Sequence, residues 1–241
     1  MLVSVNRFTD AVCAVVPDCT VYLTGSAAAG DYRHGWSDID MLFLTRTELT
    51  ADTASALVNL RQTYADDPYI PRIEGGIVSA DAFLSGAETV AVYWGTSGQR
   101  ICGGYTSDCF TLAQAENWIC LRGEDVRHRI PMPSPDALYA GVKRHWETIR
   151  DYAARTQNPM YRCGWMLDIA RCLYTLKTGR VAAKTYAGEY ALRNGWCPDA
   201  DALRDALAVR YDPSRTRHIT DEAIADFNAV LGDALTKGMK P

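Results

Sequence analysis

The chain has 241 residues, of which 48% are hydrophobic, and its formal net charge is −4. This length is enough for one large domain or two smaller ones. The acidic balance disfavours a protein that binds long nucleic acid, because such proteins need a basic surface. The short apolar stretch 11–16 lacks a basic leader and is too short to span a bilayer, so we expect a cytoplasmic protein without membrane binding.

Cysteine and histidine, the residues that most often bind zinc, are present but poorly spaced. The chain contains eight cysteines and four histidines. None of the cysteines forms a C-x-x-C pair and the histidines are scattered, so the sequence does not favour a zinc site. Within helical patterns we interpret the cysteines as small buried apolar residues.

The first hundred residues alternate between helix and strand patterns. Apolar residues at helical spacing predict helices over residues 5–16 and 50–65. Short apolar runs bounded by turn residues predict strands over 20–24, 38–45, 72–79 and 88–94. The alternation indicates a small α/β unit with a mixed sheet and flanking helices.

The second half of the chain has an almost purely helical pattern. Residues 95–110 are rich in Gly, Ser and Thr and are interpreted as a linker or long loop. Helices are predicted over 111–122, 134–156, 161–178, 184–194, 199–210 and 220–237. Ser134 and Thr220 are predicted N-caps, Pro135 a first helical residue and Gly179 a C-terminal cap. We therefore predict an α+β protein with a mixed-sheet domain over 1–105 and an all-α helical bundle over 106–241.

Asp38 and Asp40 stand at the start of a strongly apolar strand. Side chains two residues apart on a strand point to the same face, so both carboxylates project together. Two adjacent carboxylates repel each other, and a divalent cation removes this conflict. Mg²⁺ binds one or two carboxylates together with phosphate oxygens and water. The pair therefore predicts a magnesium site.

Gly25 and Ser26 directly follow the preceding strand and open a short turn or helix. Glycine lets the backbone approach a bulky anion, and a hydroxyl with N–H groups at a helix start can bind phosphate. The alternative interpretation is a surface turn followed by a solvated acidic strand end. A D-x-D pair alone does not separate the two. The combination of strand, Gly-Ser, short helix and D-x-D favours a metal and triphosphate site.

The stretch VYLTGSAAAGDYRHGWSDIDMLFL resembles the signature of the nucleotidyltransferase superfamily that contains DNA polymerase β. The resemblance implies a third carboxylate on a nearby strand, and Glu74 within RIEGGIV is the candidate. A buried glutamate in an otherwise apolar strand needs a partner, which a metal or a substrate hydroxyl would provide. The alternative is an ordinary edge-strand carboxylate.

The whole chain resembles the aminoglycoside (3″)(9)-adenylyltransferases, which modify streptomycin and spectinomycin. Glu74 lies where that family has its catalytic base, and residues 111–123 resemble the helix that begins its second domain. The stretch DIARCLYTLKTGRVAAKTYAGEYAL resembles its pattern of Arg, Thr-Gly and Lys. The resemblance implies that Arg171 and Lys184 bind the nucleotide triphosphate. The residues alone leave open a surface pair between Asp168 and Arg171.

The resemblance implies a magnesium-dependent adenylyltransferase that uses ATP. Asp38, Asp40 and Glu74 would hold metal, with two Mg²⁺ ions as the expected arrangement. Gly25, Ser26 and Ser37 would help to bind the phosphates. Glu74 would accept the proton of an acceptor hydroxyl, and the helical domain would complete the nucleotide and acceptor site. We expect a monomer or weak dimer whose partners are a nucleoside triphosphate and a small-molecule acceptor.

The sequence departs from the antibiotic enzymes at residues 160–163, where those enzymes carry acidic residues. Arg162 in this stretch would repel a cationic drug. Tyr93, Trp94 and Trp36 could stack on a sugar or base, although core packing is favoured for each. Four hypotheses follow: an antibiotic-resistance adenylyltransferase, the same fold acting on another small molecule, a protein-modifying adenylyltransferase, and a binding module without activity. The intact carboxylate set disfavours the last.

Overall fold

A mixed six-stranded sheet carries the first part of the chain, in a computed structural model that describes residues 1–95 and 98–237. The strands are β1 (Cys19–Leu23), β2 (Ile39–Thr45), β3 (Ile73–Ser79), β4 (Ala91–Gly95), β5 (Gly98–Cys102) and β6 (Ile119–Arg122). Their order in the sheet is β5-β4-β3-β2-β1-β6. Only the β2–β3 pair is parallel among these described strands, and the other neighbours are antiparallel.

Four helices accompany the sheet: α1 (Leu2–Val15), α2 (Gly25–Ala28), α3 (Ala51–Val58) and α4 (Ala80–Ser85). Helix α1 buries Val5, Phe8 and Val12, which recur at helical spacing. The ring of Phe8 meets Phe43 of β2 and Trp94 of β4 edge-on, at centroid distances of 6.2 and 5.3 Å. These aromatic contacts fix the helix on one face of the sheet.

The second part of the chain forms a helical bundle. Its helices are α5 (Cys109–Leu112), α6 (Pro135–Tyr152), α7 (Pro159–Thr178), α8 (Lys184–Arg193), α9 (Ala200–Tyr211) and α10 (Asp221–Thr236). Helix α7 is buried on most sides, with Met166, Ile169 and Leu173 fully enclosed. A helix that is buried around its circumference forms the centre of a bundle. The α+β fold class predicted from the sequence is confirmed.

The predicted helix ends in this bundle are also confirmed. Ser134 Oγ accepts a hydrogen bond from the Ala137 amide, and Pro135 is the first residue of α6. Gly179 ends α7 with φ of 68°, a left-handed conformation that glycine adopts without strain. Thr220 caps α10 by accepting from the Ala223 amide.

Two predictions between the halves were wrong. Residues 111–122 do not form one helix, because α5 ends at Leu112 and residues 119–122 form β6 at the sheet edge. Residues 95–110 are not a plain linker, because 98–102 form β5; residues 96–97 lie outside the described part. Both strands arise from pairing with β1 and β4, and neither shows the apolar alternation of a half-buried strand.

Contacts group the chain into two units. One contains residues 1–30, 38–107 and 115–131; the other contains 31–37, 108–114 and the helices from 132 onward. The predicted domains, 1–105 and 106–241, are contiguous in sequence. This division into two domains stays a prediction. Among the described residues, no helix is long and apolar enough to cross a membrane.

Candidate active site

Two of the predicted carboxylates lie side by side in the sheet. Asp40 of β2 is in direct register with Glu74 of the parallel strand β3. Asp38 immediately precedes Ile39, the first residue of β2. Two carboxylates from neighbouring strands and a third at a strand entrance therefore reach the same end of β2. The parallel pairing of β2 with β3 therefore brings the predicted site residues Asp38, Asp40 and Glu74 to one end of these strands.

The Asp40 carboxylate lies against the backbone of Gly25. A β-carbon built on Gly25 would lie only 1.9 Å from Asp40 Oδ2. Gly25 also has φ of 57°, which favours glycine. The Thr24 amide donates to the Asp40 carbonyl at 2.8 Å and ties β1 to β2 at this point. A side chain at position 25 is therefore excluded by both space and backbone conformation.

Two glycines follow Glu74, and other groups approach their backbone closely. Gly75 has φ of 138°, and a β-carbon there would lie 1.7 Å from the Met41 carbonyl oxygen. A β-carbon on Gly76 would lie 2.5 Å from the Tyr105 ring, which covers this position. The Gly-Gly pair thus holds β3 close to β2 and leaves room for an aromatic ring beside Glu74.

Arg61 and Tyr93 lie close enough to Glu74 to interact with its charge, and the sequence analysis predicted neither as a neighbour of Glu74. Arg61 donates from Nη1 to the Ile73 carbonyl at 2.7 Å and from Nη2 to the Gly95 carbonyl at 3.0 Å. Burial lowers the Arg61 pKa, while the Glu74 charge acts in the opposite direction. Burial raises the Tyr93 pKa, and the Glu74 charge raises it further. The charge of the Glu74 carboxylate therefore acts on both side chains.

Asp38 has an arginine neighbour. The distance from Arg72 Nη2 to Asp38 Oδ1 is 3.5 Å, and about a third or more of each side chain is exposed. A pair of this length and exposure contributes little to stability. Within the chain as described, no three Asp, Glu, His or Cys side chains form a ready metal-ligand cluster. The assignment of Glu74 as a third metal ligand beside Asp38 and Asp40 stays a prediction.

The two predicted phosphate-binding serines lie in different surroundings. Ser26 is the second residue of α2 and is half-buried. Ser37 is buried and belongs to the helical unit. Its Oγ accepts from the Arg33 amide at 3.0 Å and from Arg210 Nη1 at 3.3 Å. The hydroxyl of Ser37 therefore accepts hydrogen bonds from other residues of the helical unit. Phosphate binding by either serine stays a prediction.

In the helical unit, Arg171 and Lys184 converge on one carboxylate. Arg171 Nη2 lies 2.8 Å from Asp168 Oδ1, and Lys184 Nζ lies 3.0 Å from Asp168 Oδ2. The Arg171 guanidinium also lies over the Phe110 ring at 4.9 Å. The predicted alternative, a surface pair between Asp168 and Arg171, is wrong because both side chains are largely buried. Two cations share one anion, which leaves one net positive charge.

The pairing of Asp168 with Arg171 and Lys184 should make the free energy of unfolding depend on pH in the acidic range. Burial alone would raise the Asp168 pKa, but Lys184 and Arg171 outweigh it and lower the pKa to about 2. The ionised carboxylate thus stabilises the fold fully above pH ~4, and this contribution is lost as the pH falls towards ~2. Asp168→Asn should lower the free energy of unfolding at pH 7 by about 3 kcal/mol, because it leaves two cations without a counter-ion. Urea unfolding followed by circular dichroism measures this change.

The control for Asp168→Asn is Asp201→Asn, which removes an exposed carboxylate that pairs with Arg204 on α9. Exposed pairs contribute about 0–1 kcal/mol, so this variant should resemble the parent protein. The stability difference between Asp168→Asn and the parent should shrink below pH ~4. A difference that is constant down to pH ~2 would contradict the assigned role of the carboxylate.

Arg162 is a structural residue, so the prediction that it would repel a cationic ligand was wrong. It is buried, and its Nε donates to the Ile219 carbonyl at 2.6 Å. Its Nη1 donates to the Thr156 carbonyl at 3.2 Å, and its Nη2 pairs with Asp221 at 2.6 Å. These bonds join the start of α7 to the start of α10 and engage all three guanidinium nitrogens.

The three aromatic residues that the sequence analysis singled out lie in different surroundings. Trp94 is fully buried in the sheet core, as the packing interpretation predicted. Tyr93 is half-buried and its ring stacks on Tyr105, with centroids 6.1 Å apart. Trp36 lies in the helical unit, where its ring contacts the Arg210 guanidinium at 5.3 Å. None of these contacts by itself indicates a bound sugar or base.

Comparisons with known proteins concern the first part of the chain and the fold. Residues 5–70 match the family model described as "Nucleotidyltransferase domain". The structure is similar to that of spectinomycin adenyltransferase AAD(9) from Enterococcus faecialis, solved with ATP and spectinomycin. The similarity has a TM-score of 0.69 at 14% sequence identity and covers 95% of this chain and 97% of that chain. A comparison with curated proteins finds no match. The chain therefore carries a nucleotidyltransferase domain, has the adenyltransferase fold, and is an enzyme of the nucleotidyltransferase class.

Proposed function

We propose that the enzyme transfers AMP from ATP to a hydroxyl of an aminoglycoside or aminocyclitol such as streptomycin or spectinomycin. The observation that carries the proposal is the register of Asp40 with Glu74, with Gly25 against the Asp40 carboxylate. This arrangement places a candidate metal ligand and a candidate base on adjacent strands. The candidate metal ligand also lies beside a glycine turn that could admit a phosphate chain.

The residues present fit magnesium. Asp38 and Asp40 offer two carboxylates, and Mg²⁺ needs no more from the protein when phosphate and water complete its shell. The bare backbone at Gly25 gives the Asp40 carboxylate the space that it occupies, because a β-carbon there would overlap Asp40 Oδ2. The bound ions would neutralise charge that develops on the phosphates during transfer. The partly exposed Arg72–Asp38 contact would be exchanged for this stronger cation.

Glu74 is the proposed proton acceptor. A carboxylate within hydrogen-bonding reach of the acceptor hydroxyl can take its proton as the oxygen attacks the α-phosphate. Arg61 bonds to the Ile73 carbonyl, next to Glu74 on β3, and to the Gly95 carbonyl on the neighbouring strand β4. Anchored strands keep a base in a productive position, which matters because small displacements cost rate.

Arg171 and Lys184 are the proposed ligands of the nucleotide phosphates, as the family resemblance implies. Their shared pairing with Asp168 would orient both cations and leave one positive charge for an anion. An arginine fork suits phosphate oxygens geometrically, and lysine acts as a point charge. Ser26 and Ser37 are proposed to assist in phosphate binding, and the helical domain to complete the acceptor site.

The choice of a cationic antibiotic as acceptor is supported by the similarity in fold to an enzyme solved with spectinomycin. The main objection from the sequence was Arg162, and this residue is buried and bonded to main-chain oxygens and Asp221. Its guanidinium nitrogens are therefore already engaged by groups of the same chain. A different small molecule or a protein acceptor is the alternative, and it is an outcome of the test below.

Product mass tests the proposal. We expect the enzyme to add one AMP to streptomycin or spectinomycin when ATP and Mg²⁺ are present, and to stop when EDTA removes the metal. Mass spectrometry across an aminoglycoside panel, scored in parallel for pyrophosphate release, measures both. Pyrophosphate release with a metabolite extract but no modified antibiotic would favour the alternative acceptor. Product that persists in EDTA would contradict the assigned metal dependence.

A further inference from the structure

A buried ion pair in the helical unit involves residues that the proposed mechanism does not use. Asp31 and Arg210 are both almost fully buried, and Arg210 Nη2 lies 2.8 Å from Asp31 Oδ2. The same Nη2 donates to the Asp31 carbonyl at 2.8 Å. We propose that this pair is a clamp that positions two phosphate-binding elements of the nucleotide site. The inference rests on the proposed function and names two positioning residues for it.

The clamp holds the segment that leads into the metal pair. Arg210 Nη1 donates to Ser37 Oγ at 3.3 Å, and the Ser37 hydroxyl also accepts from the Arg33 amide. The guanidinium lies over the ring of Trp36 at 5.3 Å. Segment 31–37 is therefore bonded at both of its ends. Ser37 is itself a proposed phosphate-binding residue, so the clamp fixes the position of its hydroxyl.

The same carboxylate holds the start of α8. Asp31 Oδ1 accepts from the Thr185 hydroxyl at 2.5 Å, and Asp31 Oδ2 accepts from the Thr185 amide at 3.4 Å. The N-cap residue Ala183 has no side chain that could cap the helix. Asp31 therefore replaces a local cap, and its negative charge suits a helix N-terminus. Lys184, a proposed phosphate ligand, is the residue next to Thr185.

The physical cost of this arrangement indicates that it constrains geometry more than it stabilises. Removing two charges from water is costly, and an apolar pair of the same volume is often at least as stable. A buried pair with several directional bonds holds the segments that it joins in one defined geometry. Here that arrangement connects the residue before Asp38 with the residue after Lys184. Asp31 and Arg210 are thus placed to pre-organise both elements for a triphosphate.

Arg210→Lys is the main test variant, because lysine keeps the charge but loses the fork that spans Asp31, Ser37 and Thr185. Arg217→Lys is the matched control, since Arg217 pairs with Asp205 of α9 at 3.0 Å and is exposed. Hydrogen exchange monitored by mass spectrometry should show about tenfold faster exchange at 31–38 and 184–187 in Arg210→Lys. Exchange in β1 to β4, and throughout Arg217→Lys, should be unchanged.

Nucleotide binding provides the second measurement. The Kd for Mg·ATP should rise about tenfold in Arg210→Lys, with a smaller change in kcat, because pre-organisation mainly lowers the cost of binding. If Arg210→Lys does not fold, Thr185→Val, which removes one hydroxyl bond to Asp31, should change both measurements in the same direction. Exchange that rises evenly over all helices, or stays unchanged, would overturn the clamp. Lack of ATP binding by the parent protein would instead refute the proposed function, while the exchange experiment would still decide the clamp.

Discussion

Glu74→Gln should abolish AMP transfer while the fold survives. Glutamine matches the shape of glutamate but cannot accept the proton, and loss of a general base typically costs about 10²–10⁴ in rate. The half-buried position of Glu74, in register with Asp40, should tolerate the neutral amide. Asp40→Ala should be equally inactive because a proposed metal ligand is lost. Steady-state turnover, with circular dichroism to verify folding, measures both variants.

Glu88→Gln is the control for this prediction. Glu88 is exposed and lies in the same unit, between α4 and β4. Its replacement changes the net charge of the protein by the same amount and should leave turnover unchanged. Full activity in folded Glu74→Gln, or in folded Asp40→Ala, would refute the assigned site.

Gly25→Ala should have the second largest effect. An alanine β-carbon would lie 1.9 Å from Asp40 Oδ2, so the carboxylate or the turn has to move. A shift of this size in a proposed metal ligand should lower kcat/KM about 10²-fold. The left-handed φ of 57° adds a backbone cost of roughly 1–2 kcal/mol in stability. Enzyme kinetics and thermal unfolding separate these two effects.

Gly86→Ala is matched to Gly25→Ala in backbone strain. Gly86 has φ of 70°, but a β-carbon there would meet no atom within 4 Å. The two variants should lose similar stability, and only Gly25→Ala should lose activity. Equal activity in the two would show that contact between position 25 and Asp40 has no role in the reaction.

The sequence predicted the parts of the fold whose signals are local. Strands β1 to β4 have apolar runs bounded by turn residues, and the structure contains them within three residues of the predicted limits. The caps at Ser134 and Thr220 depend on a side chain and an amide three residues away, which is also local. The spacing from Gly25 to Asp40 indicated one site because a single β-hairpin connects them.

The features that the sequence did not predict depend on contacts between distant residues. β6 pairs with β1 across about a hundred residues, and its four residues are too few to show a strand pattern of their own. The sequence analysis interpreted Arg162 as a charge that faces a ligand. Its hydrogen-bond acceptors, Ile219 and Asp221, are more than fifty residues away and could not be identified from the sequence. The Asp31–Arg210 pair joins residues 179 positions apart. No local pattern identifies such partners.

The fate of labelled phosphate tests nucleotidyl transfer most directly. The enzyme should be incubated with Mg²⁺, spectinomycin or streptomycin, and ATP labelled at either the α- or the γ-phosphate. If Asp38, Asp40 and Glu74 form a nucleotidyl-transfer site, the α-label will appear on the antibiotic and the γ-label in pyrophosphate. Transfer of the γ-label to the antibiotic, or the absence of both α-labelled product and pyrophosphate across the acceptor panel, would contradict this account.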